Sequence, residues 1–473
     1  MGPRRTLPAM RRFGSSVPLL LGLDLGTSRF KASMVDGDGC ERVGASVASP
    51  FIVTPAGTEM TVEALLGALR GLFEGLGRAR SQVEAIGIAG MAESGAPFDG
   101  AGRPLAPVIA WHDPRGSEVV ARMEARFGDE LSGWIGQRPR AVSSAAKMGW
   151  LVDHGAVGLA SWLGVPELCL HALTGVRATD YSLAARTGCF DIGRRLWLPE
   201  VAATAGFPVE VFPPIGAAGE PMGAISAAGA AWSGIPAGVP ATLAGHDHLA
   251  AFAGSGATGD DLGNSVGTAE SVVGSSDRLP DVQRSLALRA AVTLMPRGDG
   301  WAVLAGAARA GRALDTVAQA LGNTPSELDS VAERGGSVDM SSFLAALQAG
   351  DDPELPPGAA GDIWNGLLQA LTERTVEAVA RAVELVGPAR RLVVFGGGSR
   401  SRPWLRAKAR ACSLPVWRSS AGEAAARGAA LQAGVAAEWW PSLERSPAAA
   451  VERCSDGGSS SVSRAGCETT GTP

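Results

Sequence analysis

Apolar and polar positions fall into blocks along the chain. Leu19-Leu20-Leu21-Gly22-Leu23 is an apolar run that rises to one acid, Asp24, and turns through Leu25-Gly26-Thr27-Ser28. Arg29, Phe30 and Lys31 follow, with Phe30, Ala32 and Met34 on one face of an alternating segment. That pattern predicts a buried strand, a tight turn and a second strand. Between residues 61 and 77, Val62, Leu65, Leu66, Leu69, Leu72, Phe73 and Leu76 recur at helical spacing. Residues 85–90 read as a buried strand that runs into Met91-Ala92-Glu93. Residues 107–110 read as a strand ending at Trp111-His112-Asp113. Residues 240–244 read as a strand that delivers Gly245-His246-Asp247-His248 to an Ala-rich helix. The segment 263–270 then repeats the opening figure: strand, Gly267-Thr268, strand. A long amphipathic helix is expected over 363–386, and a buried strand over 392–395 enters Gly396-Gly397-Gly398-Ser399. Ser401 with Pro403 signals a helix start. A last helix is expected over about 421–438.

Strands that end in polar clusters, with helices between them, predict an α/β fold whose ligands sit at the strand ends. The repeated opening figure argues for a duplicated architecture. With 473 residues the chain has room for two domains. The Gly- and Asp-rich stretch 254–263 divides them into 17–254 and 255–440. Residues 1–16 and 441–473 are expected to be disordered tails, and removal of 442–473 is expected to be harmless. A net charge of -5 argues against a nucleic-acid groove or an anionic membrane surface. No apolar run approaches a membrane span. The early arginines before Val17 resemble a secretion signal, but Asp24 breaks the run and no small-residue cleavage pattern follows. Six cysteines without a CxxC pair suit a reducing cytosol, so the expected location is cytoplasmic. The abundance of Ala and Gly reads as coding bias.

Each of the three Gly-centred turns, at 24–28, 265–268 and 396–399, follows an apolar strand. Glycine lets a backbone approach a ligand closely, and successive N–H groups with the Thr27 and Ser28 hydroxyls make an anion site. Asp24 at the mouth of the first turn suits a phosphate that carries Mg²⁺. Asp24, Asp113 and Asp247 all end strands. A carboxylate within hydrogen-bonding reach can take the proton of an attacking hydroxyl. At a helix start the dipole keeps Asp247 ionised, although N-capping is its alternative role. His246 and His248 flank that acid at a spacing expected not to converge, so no metal site is expected among His112, His246 and His248.

These motifs, in this order from about Leu19 to Ala437, resemble the FGGY carbohydrate kinases. Leu23-Asp24-Leu25-Gly26-Thr27 with Lys31 is similar to the family's first phosphate motif. Ile88-Ala89-Gly90-Met91 and Trp111-His112-Asp113-Pro114-Arg115 are similar to its substrate-side segments, and Asp180-Tyr181-Ser182 with Ala185-Arg186-Thr187 to its middle motif. Gly245-His246-Asp247 resembles the catalytic-aspartate motif and Ser265-Val266-Gly267-Thr268 the second phosphate motif. Gly396-Gly397-Gly398-Ser399, with Gly428-Ala429-Ala430, resembles the adenosine motif. The resemblance implies two ribonuclease-H-like (actin-like ATPase) domains flanking a cleft. It implies transfer of the γ-phosphoryl group of ATP to a hydroxyl of a small neutral ketose or polyol, with glycerol as an alternative acceptor and a degenerate sugar sensor as an alternative role. Asp247 would be the base and Asp24 the Mg²⁺ ligand. Gly26, Thr27, Ser28, Lys31, Gly267, Thr268, Gly396, Gly397, Gly398 and Ser399 would bind the nucleotide. Met91, Glu93, Trp111, Asp113, His246 and Asp247 would meet the acceptor. Glu93, as a carboxylate, would favour a neutral acceptor over an acid. Nothing in the resemblance calls for a nucleic acid or a membrane, and it leaves a homodimer open.

Overall fold

The computed structural model describes residues 17–332 and 336–455. The tail at 1–16 and residues 456–473 lie outside the described residues. The opening apolar run forms β1 (Leu19–Leu25), and the alternating segment forms β2 (Arg29–Val35). They pair antiparallel around Gly26-Thr27-Ser28, with Asp24 opposite Lys31. β3 (Glu41–Ala48) extends the meander. β4 (Val83–Gly90) lies parallel to β1 on its other side. β5 (Gly223–Ala224) and β6 (Pro240–His246) complete a sheet of order β5-β6-β4-β1-β2-β3. β1 and β4 are almost wholly buried, which is why they read as apolar runs without alternation.

The same plan recurs. β7 (Leu262–Val266) turns through Gly267-Thr268-Ala269 into antiparallel β8 (Glu270–Ser276). β9 (Ala291–Leu294) and β10 (Trp301–Ala308) continue the meander. On the other side β7 is parallel to β11 (Leu392–Phe395), and β11 to β12 (Val416–Ser419). The core order β3-β2-β1-β4-β6 is thus matched by β10-β8-β7-β11-β12. This is the duplication that the repeated strand–Gly-Thr–strand figure predicts.

The predicted helices form with small changes of boundary. The helix after Thr61 runs Val62–Gly75, capped by the Thr61 side chain. The long helix runs Ala360–Val386. Ser401 caps the helix Arg402–Ala411 by accepting the Trp404 N–H, with Pro403 in its first turn. Residues 107–110 behave differently. Val108–Ile109 is a two-residue strand of a separate antiparallel sheet, paired with Glu59-Met60 and Gly95. Asp113 therefore does not end a strand of either main sheet.

The last helix, Ala424–Ala436, follows the second domain in sequence but packs on the sheet of the first, over β1 and β4 and beside the helix Asp247–Gly254. Only missing side chains allow that approach. A Cβ at Gly22 would stand 1.7 Å from the Ala426 carbonyl oxygen, and one at Gly87 would stand 1.8 Å from that of Ala429. Across the two helices, a Cβ at Gly428 would meet the Ala250 carbonyl at 1.9 Å. At these positions the Ala and Gly content is a packing requirement, not coding bias.

The expectation of a disordered tail from 441 is also corrected. Val451–Arg453 adds a strand, β13, antiparallel to β12. The buried Arg427 side chain donates to the carbonyls of Gly39, Gly254 and Pro447, so the segment after Pro441 closes over it. Ending the chain at residue 440 removes one acceptor of a buried guanidinium and one edge strand. A loss of about 1–3 kcal/mol is expected from the orphaned donor alone. Equilibrium denaturation of the truncated chain checks this, and an unchanged midpoint would contradict it. The expectation of six thiols also fails at Cys40, which is disulfide-bonded. Cys169, Cys189, Cys412 and Cys454 are free.

Candidate active site

The turns after β1, β7 and β11 all open on one cavity of about 780 Å³ between the two sheets. Gly26, Thr27 and Ser28 line it from the first domain, and Gly267, Thr268, Gly396 and Gly397 from the second. Gly396 has φ +92°, and a Cβ there would stand 2.6 Å from the Val266 carbonyl oxygen, so only glycine fits this corner. Two neighbours predicted to line the site lie beneath it. Gly398 packs on Val266 and Trp404, and the Ser399 hydroxyl donates to the Gly396 carbonyl at 2.7 Å. They shape the turn without facing the cavity. Lys31 lines the cavity but is held by Glu423 at 2.6 Å. The Thr27 hydroxyl accepts the Trp111 indole N–H at 2.8 Å, which joins the first turn to the acceptor side.

Asp24 sits next to the end of β1 and faces this cavity. Its Oδ1 is buried and has no hydrogen-bond partner. Burial, and next the charge of Asp247, push its pKa up to about 7, against a smaller opposing pull from Lys31. A buried carboxylate with an orphan oxygen and a second acid nearby suits a hard divalent cation.

Asp247 opens the helix Asp247–Gly254 at the end of β6. Its side chain does not cap that helix in the usual way: Oδ1 accepts the N–H of the next residue, His248, at 2.7 Å. Oδ2 makes no hydrogen bond among the described residues. The His246 Nε2 lies 3.2 Å from Oδ1, and burial holds the His246 pKa down at about 3, so the ring is neutral. A neutral ring that donates from Nε2 leaves Nδ1 as an acceptor, and Nδ1 is buried without a partner. The corner is fixed from below. Asp180 accepts the Ser182 N–H and hydroxyl at 2.8 and 2.7 Å, and the Ser182 Oγ accepts the His246 N–H at 3.0 Å. Gly245 has φ +88°, and a Cβ there would stand 2.5 Å from Ser182 Oγ. The turn thus requires glycine at 245. His246, Asp247 and His248 do converge, contrary to expectation, with ligand atoms within 4.8 Å of one another. A helix N-terminus, however, disfavours a cation.

At the other end of the cavity stand Met91, Glu93 and Trp111, as expected. Glu93 is buried and ion-paired with Arg186, whose Nε donates to Glu93 Oε1 at 2.8 Å and whose Nη1 donates to Gln137 at 2.8 Å. The physical reason for a neutral acceptor, an uncompensated Glu93 charge, therefore falls away. Asp113 is not in the cavity. Its carboxylate accepts the Thr58 N–H at 2.7 Å and pairs with Arg115 at 2.8 Å. Burial opposes its ionisation, but these bonds outweigh it and hold its pKa low. Asp113 is held as a structural acid, and one of its two partners, Thr58, lies 55 residues away in the chain. Gln137, Arg138 and Arg140, in the loop before the helix Ser144–Asp153, line the site and were not anticipated. The signal available was a polar Gln-Arg-Pro-Arg cluster in a middle region that otherwise reads as helix and turn.

Three Gly-centred turns from duplicated sheets thus face one cavity with a pair of acids, Asp24 and Asp247. The chain belongs to the FGGY family of carbohydrate kinases: the model of the family's N-terminal domain matches residues 19–254 and that of its C-terminal domain residues 339–437. It is 27% identical to an L-fuculokinase of Salmonella typhi over 434 residues, 87% of this chain and 91% of that protein. It is 30% identical to a xylulose kinase of Streptomyces rubiginosus over 438 residues, 88% of this chain and 87% of that protein. A glycerol kinase of Plasmodium falciparum, solved with ADP, superposes with a TM-score of 0.76 at 18% identity, covering 90% of this chain and 91% of that one. The chain is thus a carbohydrate kinase, a phosphotransferase with an alcohol acceptor, with the α/β fold of two actin-like domains. No helix among the described residues is long and apolar enough to cross a membrane.

Proposed function

We propose that the chain transfers the γ-phosphoryl group of ATP to one hydroxyl of a small ketose or polyol, with Asp247 as the general base. The observation that carries this reading is the placement of Asp24 and Asp247 on one cavity walled by the three Gly-centred turns. Phosphoryl transfer asks the protein chiefly for position and charge. The backbone N–H groups at Gly26–Ser28 and Gly267–Thr268 would receive the phosphates, and Gly396 and Gly397 would border the adenosine. Asp247 would take the acceptor proton on Oδ2, since Oδ1 is held by His248. Asp24 would hold Mg²⁺, which when bound neutralises charge on the β- and γ-phosphates. Trp111 and Met91 would form the apolar wall behind the acceptor. A ketose of five or six carbons stands ahead of glycerol, because the fuculokinase and the xylulose kinase, matched over most of both chains, are 27% and 30% identical, against 26% for a glycerol kinase matched over a like span. Coupled ADP release across ketoses, alditols and glycerol tests the reading. It fails if no acceptor raises ADP release above that with ATP alone.

The Asp24 pKa of about 7 carries a pH prediction. Without a cation, the folded chain holds a proton on Asp24 that the unfolded chain has lost by pH 5. That contribution to stability therefore falls as pH rises toward 7. A cation must displace the same proton, so Mg²⁺ should bind more weakly at pH 6 than at pH 8. Isothermal titration of Mg²⁺ at the two pH values checks this. Equal affinity would show that Asp24 is not the ligand.

A further inference from the structure

A buried ion pair lies beneath the second nucleotide turn and has no part in the reaction as proposed. Lys408, on the helix Arg402–Ala411, and Glu270, the first residue of β8, are both almost wholly buried. The Lys408 ammonium donates to Glu270 Oε1, to Asn264 Oδ1 at 3.0 Å and to Thr375 Oγ1 at 2.7 Å, so its three hydrogens are all used. Glu270 Oε1 also accepts from the Asn264 amide at 3.0 Å and from the Thr375 hydroxyl at 2.8 Å. Asn264 belongs to β7 and Thr375 to the long helix Ala360–Val386. Both strands that flank Gly267-Thr268-Ala269 are therefore tied through side chains to one ammonium. The same ammonium lies 4.5 Å from the centre of the Trp404 ring. That ring lies against the third turn, where a Cβ at Gly398 would stand 2.8 Å from it.

The duplicated first domain supplies a comparison. β1 pairs with β2 as β7 pairs with β8, and Leu25 opposite Phe30 takes the place of Val266 opposite Glu270. In the same register Leu23 stands where Asn264 does. Leu23 and Phe30 are apolar and fully buried. A Gly-Thr turn of this kind thus folds on apolar side chains alone. Replacing a buried ion pair by apolar side chains of similar size is often neutral for stability. What a satisfied polar network adds is a single arrangement of the segments that meet in it.

We infer that Lys408 and Glu270 are positioning residues for the nucleotide: they hold the second and third turns in one relation, so that the phosphates and the adenosine are received together. Neither side chain lines the cavity, so both act through Gly267-Thr268 and Gly396-Gly397, which do. The inference rests on the nucleotide reading above and adds to it a pair of residues outside the cavity.

The test is the triple variant Asn264→Leu, Glu270→Leu, Lys408→Met, which removes both charges together and gives the second turn an apolar support like that of the first. A single charge removal would strand the other charge in the core. Thr375 keeps the Leu371 carbonyl as its acceptor at 3.1 Å. Three quantities are compared with the wild type: the denaturant midpoint, the ADP dissociation constant by isothermal titration, and the KM values for ATP and for the acceptor that best stimulates ADP release. The midpoint is expected to stay close to the wild-type value. The ADP dissociation constant and the KM for ATP should rise by roughly 10- to 100-fold, the usual cost of a small misplacement, while the KM for the acceptor stays unchanged. A folded variant with wild-type ADP affinity overturns the inference and makes the pair ordinary core. ATP and acceptor KM values that rise together also overturn it, since the whole cleft would then be disturbed. Thr375→Val decides the matter if the triple variant does not fold. It keeps both charges and removes one hydrogen bond from each, and it should raise the ADP dissociation constant by about 2- to 10-fold. An unchanged constant in that variant overturns the inference. Failure of the wild-type chain itself to bind ADP would instead contradict the nucleotide reading, and this inference with it.

Discussion

Asp247→Asn is expected to lower kcat by roughly 10²- to 10⁴-fold, the usual worth of a positioned general base. Asparagine keeps the volume and can still accept the His248 N–H through its carbonyl oxygen, so the turn should survive. What it loses is the ability to take a proton. Nucleotide binding should persist, because the phosphate turns are built from other segments of the chain. The comparison to make is kcat for the best acceptor against the ADP dissociation constant, in the wild type and the variant. Turnover close to wild type in a folded variant would remove Asp247 from the chemistry. A loss of ADP binding alongside turnover would mean that the turn itself had been disturbed.

Gly87→Val is expected to give a large loss of stability. The Cβ would stand 1.8 Å from the Ala429 carbonyl oxygen, and that atom is backbone in the middle of the helix Ala424–Ala436. Neither the helix nor β4 can yield locally, since β4 is bracketed by β1 and β6. The expected cost is at or beyond the upper end of the roughly 1–3 kcal/mol typical of overpacked cores. Gly67→Ala is the control. Gly67 lies exposed in the helix Val62–Gly75, where an added Cβ meets nothing within 4 Å. It should be neutral or stabilising by about 0.4–1 kcal/mol. Denaturant midpoints of the two variants should move in opposite directions. Similar midpoints would mean that the helix does not pack on the first sheet as described.

The residues that were legible in the sequence are those whose role is local. A buried strand that turns through glycine announces itself by its apolar run, so β1, β4, β7 and β11 and their turns could be read directly, and with them Gly26, Gly267 and Gly396. Asp24 and Asp247 could be read because each sits where such a strand ends. What could not be read depends on partners distant in sequence. Glu93 is paired with Arg186, 93 residues away, and that pairing removes the charge from which a neutral acceptor was expected. Asp113 looks like a site acid until Thr58, 55 residues away, is seen to hold it. Val108–Ile109 is too short for its apolar character to say which sheet it joins. The tail from 441 to 455 is poor in apolar periodicity because it contributes one edge strand and one carbonyl to Arg427, not a helix face. Gly22, Gly87 and Gly428 look like composition until the helix they admit is in place.

On the proposed function, this cavity moves a phosphoryl group from ATP to a hydroxyl of a small acceptor. The most direct measurement is ³¹P NMR of the wild-type chain incubated with ATP, Mg²⁺ and the acceptor that best stimulates ADP release. A new phosphomonoester resonance is expected to grow in step with ADP, with little inorganic phosphate. ADP accompanied by an equal amount of inorganic phosphate, and no phosphomonoester, would contradict it.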